Sequence, residues 1–266
     1  MFVEQTVHGL TYMTAPNIET MHAFTTRFGG VSRGVYKELN LGQHLDDDRE
    51  CVRENYMRLC NALGMAEADI VCQKQVHGTD VAVVTEADRG RLYAATGAEG
   101  DGLITCSPGV ALMVFAADCV PILLHDVKRG VIGALHAGWR GTALGIAGAA
   151  VRKMAEEFGC ADIKAAVGPC ISKCCFETDR DVADALYSSL GGEADRCIER
   201  RGDKFMADIK EANRLMLIKA GLKNEDIAVS NECTFCLSDK YWSHRRTKGI
   251  RGTQAAVIYR RVEDTL

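Results

Sequence analysis

The chain has 266 residues, 47% of them hydrophobic and 26% charged, with a formal net charge of −4. That is the composition of a soluble globular protein able to bury a sizeable core. The acidic balance excludes a global field toward nucleic acid or an anionic membrane. No signal peptide is recognisable at the amino terminus. The longest apolar run, Val110 to Leu124, contains Asp118 and is too short to span a bilayer, so a cytoplasmic protein is expected. The 12 cysteines, in a long chain without an export signal, are expected to be reduced, most of them as small buried hydrophobes.

In chain order, Met21 to Arg27 reads as a short strand running into the glycine turn at Phe28–Ser32. Asp46, Asp47 and Asp48 precede a helical pattern ending near Leu63, where acidic residues suit the helix start and Gly64 a stop. Strands are predicted over Ile70–Gln75 and Val81–Thr85, with His77-Gly78 in the turn between them. Four nearly continuous apolar runs follow: Gly102–Thr105, Val110–Ala116, Pro121–His125 and Val131–Leu135. They suit strands covered on both faces. A long helix is expected from about Thr142 to Phe158, a strand near Ile163–Val167, helices near Asp179–Leu190 and Asp208–Ala220, and a last strand at Gln254–Tyr259. With no repeat, low-complexity segment or linker, the order predicts a single domain over residues 1–266. Its class is α+β, with mixed β-sheets flanked by helices.

Three residues stand out beside turns at the ends of these runs: His77 in KQVHGTDV, Cys119 in FAADCVPILLHD and His136 in GALHAGWRGT. Two imidazoles and a thiolate are ligands for a borderline-soft ion, and three protein ligands with a fourth position open is the pattern of a catalytic zinc site. The same residues also suit a nucleophilic cysteine with a histidine base. Singly, each reads better as a buried core residue. Jointly, at strand ends among glycines, they point to a site. After His136 the chain passes through Gly138 and Arg140 into a helix start, where free N–H groups favour an anion. Arg27, Ser32 and Asn40, and the basic run His244–Lys248 with Arg245 and Arg251, are substrate or anion candidates in glycine-bearing turns. Cys170, Cys174 and Cys175 in PCISKCC and Cys233 and Cys236 in CTFC do not match a paired C-x-x-C ribbon and stay unassigned.

The motifs KQVHGTDV, DGLIT, AADCVPILLHD, HAGWRGT, GPCISKCCFE and SHRR, preceded by RFGGVSRGVYKELNLG, resemble in order those of the laccase-domain family. That family is also described as polyphenol oxidase or purine nucleoside phosphorylase-like, and the resemblance runs from about Thr25 to about Gln254. It implies metal ligands at His77, Cys119 and His136, usually for zinc. For many members it implies phosphorolysis of adenosine, inosine and methylthioadenosine to a free base and a sugar 1-phosphate, with adenosine deamination attached to the same site. Other members are linked to copper-dependent phenol oxidation or, as peptidoglycan editing factor, to removing a wrong amino acid from a cell-wall precursor.

The residues discriminate among these. Seven histidines and no His-x-His pair cannot build a multicopper cluster, although a lone copper at the trio is the alternative ion on affinity order. The H-x-E and P-C-x-x-C signature of zinc nucleobase deaminases is absent, which leaves Asp118 and Asp101 as candidates for the general acid or base. The leading expectation is a zinc-dependent purine nucleoside phosphorylase using a nucleoside and phosphate, with Cys119, His77 and His136 in the chemistry. Arg27, Asn40, Arg140 and Arg245 are its candidate substrate contacts. A Cys/His or zinc amidase and a copper polyphenol oxidase are the enzymatic alternatives, and a binding protein with a vestigial site is the third class.

Overall fold

The apolar runs in the middle of the chain are strands that bury both faces, and the alternation of their side chains sets the layers of the molecule. The computed structural model describes residues 1–90 and 98–264. The amino-terminal half contributes β1 (Val3–Val7), β2 (Leu10–Thr14), β3 (Met21–Thr25), α1 (Arg49–Leu63), β4 (Ile70–Val71), β5 (Val81–Val83), β6 (Gly102–Thr105), β7 (Ala111–Ala116), β8 (Val120–Asp126) and β9 (Val131–Ala137). The carboxyl-terminal half contributes α2 (Trp139–Ala143), α3 (Ile146–Phe158), β10 (Lys164–Val167), β11 (Glu177–Thr178), α4 (Arg180–Leu190), β12 (Ile198–Arg201), β13 (Lys204–Ala207), α5 (Ile209–Lys219), β14 (Ile227–Val229), α6 (His244–Thr247) and β15 (Gln254–Tyr259).

Two six-stranded mixed sheets form, in the orders β1-β2-β3-β15-β7-β4 and β14-β10-β8-β9-β6-β5, with a small third sheet β11-β13-β12. Leu112 and Val114 of β7, Leu123 of β8, Ile132 and Ala134 of β9, and Ala256 and Ile258 of β15 share one core between the two large sheets. The intervening residues point the other way. Ala111, Met113, Ala255 and Val257 pack with Tyr56, Leu59 and Leu63 of α1. Ile122, Leu124, Val131 and Leu135 pack with α3, α4 and α5. The result is a helix–sheet–sheet–helix stack in which each buried Leu or Ile contributes about 1.5–3 kcal/mol. Continuous apolarity, often a sign of parallel strands, arises here in β8, paired antiparallel with β9 and β10, because both outer sheet faces are covered by helices.

Most expected elements are present, but the strand expected over Ile70–Gln75 ends at Val71, the short elements β11–β14 and α6 were not expected, and further differences lie elsewhere. The helix expected from Thr142 is two helices, α2 and α3, separated at Gly145, whose φ of 85° breaks the hydrogen-bonded run. β9 runs on to Ala137, so His136 is its penultimate residue rather than the residue that follows it. The β1–β2 hairpin turns through His8 and Gly9, both at positive φ, as a two-residue hairpin requires. It went unrecognised because β1 is mostly exposed and lacks an apolar face. The helix expected after the aspartates begins at Arg49, with the Asp48 carboxylate accepting from Glu50 and Cys51, and ends at Gly64 in the left-handed conformation. No helix among the described residues is long and apolar enough to cross a membrane.

Successive strands repeatedly change sheet, and three of these crossings matter below. The β4–β5 connection carries His77, the β7–β8 connection carries Asp118 and Cys119, and the β14–β15 connection carries α6 and Arg251.

Candidate active site

Asp101, immediately before β6, organises both histidines. Its Oδ1 accepts from Nδ1–H of His136 at 2.8 Å and from the His77 backbone N–H at 3.0 Å. Its Oδ2 accepts from the backbone N–H of Gly78 at 2.7 Å and of Val76 at 3.2 Å. The carboxylate is fully buried. Burial alone would raise its pKa, but the hydrogen bonds from His136, Gly78 and His77 hold it below the ordinary carboxylate value. These amides also fix His77 at a φ of 62°, a left-handed conformation that costs a non-glycine residue about 1–3 kcal/mol. Gln75 pins the same loop to β7 by exchanging two hydrogen bonds with the backbone of Phe115.

Cys119 Sγ lies 3.9 Å from Nε2 of His77. The imidazoles of His77 and His136 meet edge to face with centroids 4.8 Å apart. One ligand atom from each of the three residues falls within 4.8 Å of the others. With Nδ1 of His136 bound to Asp101, Nε2 is its remaining nitrogen for the site, the carboxylate–imidazole pairing typical of metal-bound histidines. Gly138 closes the remaining side: a Cβ there would lie 2.8 Å from Cδ2 of His77 and 3.4 Å from Cys119 Sγ. His136 is buried, Cys119 half-buried and His77 exposed, so the trio runs from interior to surface.

The charges are coupled. Burial would push the Cys119 thiol up, but the imidazoles of His136 and His77 outweigh it and bring its pKa down to about 6. Burial also opposes charge on His136, yet the Cys119 thiolate and Asp101 raise its pKa to about 9. The two titrate as a pair, so in the absence of a metal a thiolate sits beside an imidazolium near neutral pH. Binding an ion would release the imidazolium proton. Two nitrogens and one sulfur, oriented by a buried carboxylate, fit a borderline-soft ion with a further coordination position.

Asp118, beside Cys119, holds a φ of 85°. Its Oδ1 accepts from Thr234 Oγ1 at 2.6 Å, and its Oδ2 from Ser243 Oγ at 3.0 Å and the Arg245 backbone N–H at 2.6 Å. Both sequence-stated acid/base candidates, Asp118 and Asp101, therefore have their oxygens committed to holding backbone and histidine in place.

The trio opens into a cavity of about 570 Å³. Phe115, Trp139, Ile171 and Phe176 supply apolar wall, while Gln73, His44, His244, Arg245 and Arg251 supply polar groups. Arg245 donates to the Glu177 carbonyl and lies over Phe176. Arg251 donates to Thr253 Oγ1 at 2.6 Å, while its buried Nε has no partner among the described residues. Burial lowers the pKa of its guanidinium, and the nearby charges of Asp118 and Cys119 offset part of that. A second cleft of about 610 Å³, lined by His22, His125 and Arg260, shares no residue with this cavity.

The other candidate contacts lie outside the cavity lining. Arg27 stacks on Trp242 and donates to the carbonyls of Ser238 and Lys37. Asn40 is buried, donates to Asp47 and accepts from Gly42 and Thr253, while Ser32 donates to the same Asp47 oxygen. This network shapes the loop whose Leu41–Leu45 segment then lines the cavity. Arg140 is exposed and lies over the Trp139 ring. His44 and Gln73 went unremarked in the sequence, where each is a single polar residue in a polar loop. Only their neighbourhood to KQVHG and LNLG could have flagged them.

Residues 21–261 match the family described as multi-copper polyphenol oxidoreductase laccase. The chain is 43% identical over 247 residues to a protein named purine nucleoside phosphorylase YlmD from Geobacillus stearothermophilus, covering 91% of this chain and 90% of the relative. It is 34% identical over 253 residues to a protein named adenosine deaminase RL5 from an unknown prokaryotic organism, covering 93% and 97%. The crystal structure of YlmD from Geobacillus stearothermophilus superposes with a TM-score of 0.92 at 40% identity, covering 97% of this chain and 98% of that one.

Proposed function

We propose that this chain, which belongs to the multi-copper polyphenol oxidoreductase laccase family, is a metal-dependent purine nucleoside phosphorylase cleaving adenosine, inosine and methylthioadenosine to a free base and a sugar 1-phosphate. The observation that carries this reading is the juxtaposition of the His77–Cys119–His136 trio with the cationic Arg251 and Arg245 and the aromatic walls of one cavity. Relatives named as purine nucleoside phosphorylases support it.

His77, Cys119 and His136 would hold zinc, which would supply Lewis acidity and an anchoring charge, milder than at an all-histidine site because one ligand is a thiolate. Phe115, Trp139 and Phe176 offer faces on which a purine can lie while water is kept from the reacting bond. Arg251 and Arg245 hold phosphate by charge and hydrogen bonding. A phosphate oxygen then bonds to the anomeric carbon as the bond to the purine nitrogen breaks. The electron pair leaves on the purine, which takes up the proton that phosphate gives up. Asp101 keeps His136 in one tautomer and His77 in its strained turn, so the site is set before substrate arrives.

The same cavity supports deamination of adenosine when water replaces phosphate, a reading favoured by the relative named adenosine deaminase. Phenol oxidation of the multicopper type is not supported: among the described residues, neither cluster of metal-ligating side chains has more than two histidines. The test is product analysis by mass spectrometry on adenosine, with and without phosphate, for wild type and Cys119→Ala. Phosphate-dependent adenine and ribose 1-phosphate, lost in the variant, is the expected result. No conversion to adenine or inosine by the metal-loaded wild type would overturn the reading.

A further inference from the structure

Cysteines that sequence spacing left unassigned come together on two neighbouring loops. The loop after β10 carries Cys174 and Cys175, and the loop after β14 carries Cys233 and Cys236. Their four sulfurs all lie within 4.8 Å of one another. Cys174 and Cys175 are 3.4 Å apart, Cys174 and Cys236 3.8 Å, and Cys175 and Cys236 3.3 Å. Around an ion with metal–sulfur bonds of about 2.3 Å, the edges of a tetrahedron are about 3.8 Å. The three edges among Cys174, Cys175 and Cys236 are thus already close to that spacing, and Cys233 lies within reach of the same centre. All four cysteines are free thiols. Cys170, on the same loop, is excluded: its thiol is buried and donates to the carbonyl of Ile171.

One of the four sulfurs is already engaged as an acceptor. Cys233 Sγ accepts the Ser172 backbone N–H at 3.3 Å. An amide donor on a sulfur is the kind of outer hydrogen bond that orients and supports a metal-bound thiolate. Beneath the loops, the ammonium of Lys210, a side chain almost wholly buried, donates to Ser172 Oγ and to the carbonyls of Ser230 and Glu232. It spans both loops, joining Ser172, whose N–H donates to Cys233 Sγ, to the segment that leads into Cys233.

We propose that Cys174, Cys175, Cys233 and Cys236 form a structural tetrathiolate zinc site, separate from the His77–Cys119–His136 trio. Four protein ligands leave no position for substrate, so its role is to tie the two loops together. The next residue along, Thr234, donates to Asp118 and binds the Cys170 carbonyl through its N–H, while Ile171 N–H binds the Asp118 carbonyl. The zinc site thus braces the strained residue beside Cys119.

The test is zinc content per chain, by elemental analysis of protein purified under reducing conditions. Wild type should carry two ions. Cys119→Ala should lose the trio ion and keep the other, whereas Cys236→Ser should do the reverse and melt at lower temperature. The two arms separate failure of this site from failure of the trio. Cobalt substitution in Cys119→Ala should give the intense sulfur-to-metal bands of a tetrathiolate. If Cys236→Ser does not fold, wild type answers alone: zinc should protect Cys174 and Cys236, both exposed, from alkylation until a chelator removes it. Cys236→Ser with the zinc content of wild type would overturn the proposal. So would wild-type protein whose Cys175 and Cys236 are joined as a disulfide, or whose exposed thiols alkylate equally with and without chelator.

Discussion

Replacing Asp101 by Asn removes one charge and half the acceptors from the group that holds both histidines. The amide can keep its oxygen on Nδ1 of His136 and the His77 N–H, but its NH₂ then faces the N–H groups of Gly78 and Val76, which now bond Oδ2 at 2.7 and 3.2 Å. Val76 is exposed and water can take its N–H, so the stability cost is essentially that of Gly78, about 1–3 kcal/mol. The cost to the site is larger, because carboxylates that orient ligating histidines are worth about 10–100-fold in metal affinity or activity. We expect Asp101→Asn to fold, to bind zinc at the trio about 10–100-fold more weakly, and to recover part of its activity when zinc is raised. The assay is a competition titration against a chromophoric chelator, run beside urea unfolding of the metal-free protein. Wild-type zinc affinity in the variant would refute the argument. Lost turnover at full zinc occupancy would show that Asp101 acts in the chemistry itself.

Gly138→Ala places a methyl 2.8 Å from the His77 ring, and His77 must move. Zinc affinity should fall at least about tenfold, as for other losses of ligand orientation, with little change in unfolding of the metal-free protein. Arg251→Gln should raise the KM for phosphate by about 10–100-fold, the worth of a charge-assisted hydrogen bond of about 1.5–3 kcal/mol. The KM for nucleoside should be less affected; equal effects on both would argue that Arg251 shapes the cavity instead. In metal-free protein, the folded-state pKa of Cys119 lies at about 6, below its ordinary 9.0. The thiolate therefore persists as pH falls from 9 and is lost only through about 6, so the iodoacetamide rate at Cys119 should hold to near pH 6 and then decline. The stability contributed by the thiolate–imidazolium pair should be lost as pH falls through about 6 and as it rises through about 9, where His136 gives up its proton. An alkylation midpoint near 9 would contradict the thiolate–imidazolium pairing.

Much of the fold was legible because its signals are local. The Asp48 cap and Gly64 stop bracket α1, and the apolar runs of β7, β8, β9 and β15 mark strands whatever they pair with. What stayed hidden depends on partners. The near-continuous apolarity of β8 does not say which of its residues face the other sheet and which face the helices. Gly145 reads in sequence as a tolerable helix glycine, and only its left-handed φ reveals the break. The trio was visible as residue types at strand ends, but the role of Asp101 was not, since nothing in DGLIT says that one carboxylate reaches both His136 and the His77 turn. The four clustered cysteines escaped a spacing test because Cys174 and Cys175 are adjacent and lie 62 and 61 residues before Cys236.

The placement of the trio on chain crossings has a consequence for how the molecule assembles. His77 and Cys119 are 42 residues apart, and each sits where the backbone passes from one large sheet to the other, while His136 ends a strand of the second sheet. Neither sheet alone holds a pair of ligands in register with the third. An ion bound there as proposed would therefore be captured late, only after the two sheets have docked, and would act as a rivet through the seam. At a free concentration 100 times its dissociation constant, such a rivet adds about 2.7 kcal/mol against unfolding. Starving a cell of the metal would then thin the population of folded molecules as well as idle the survivors.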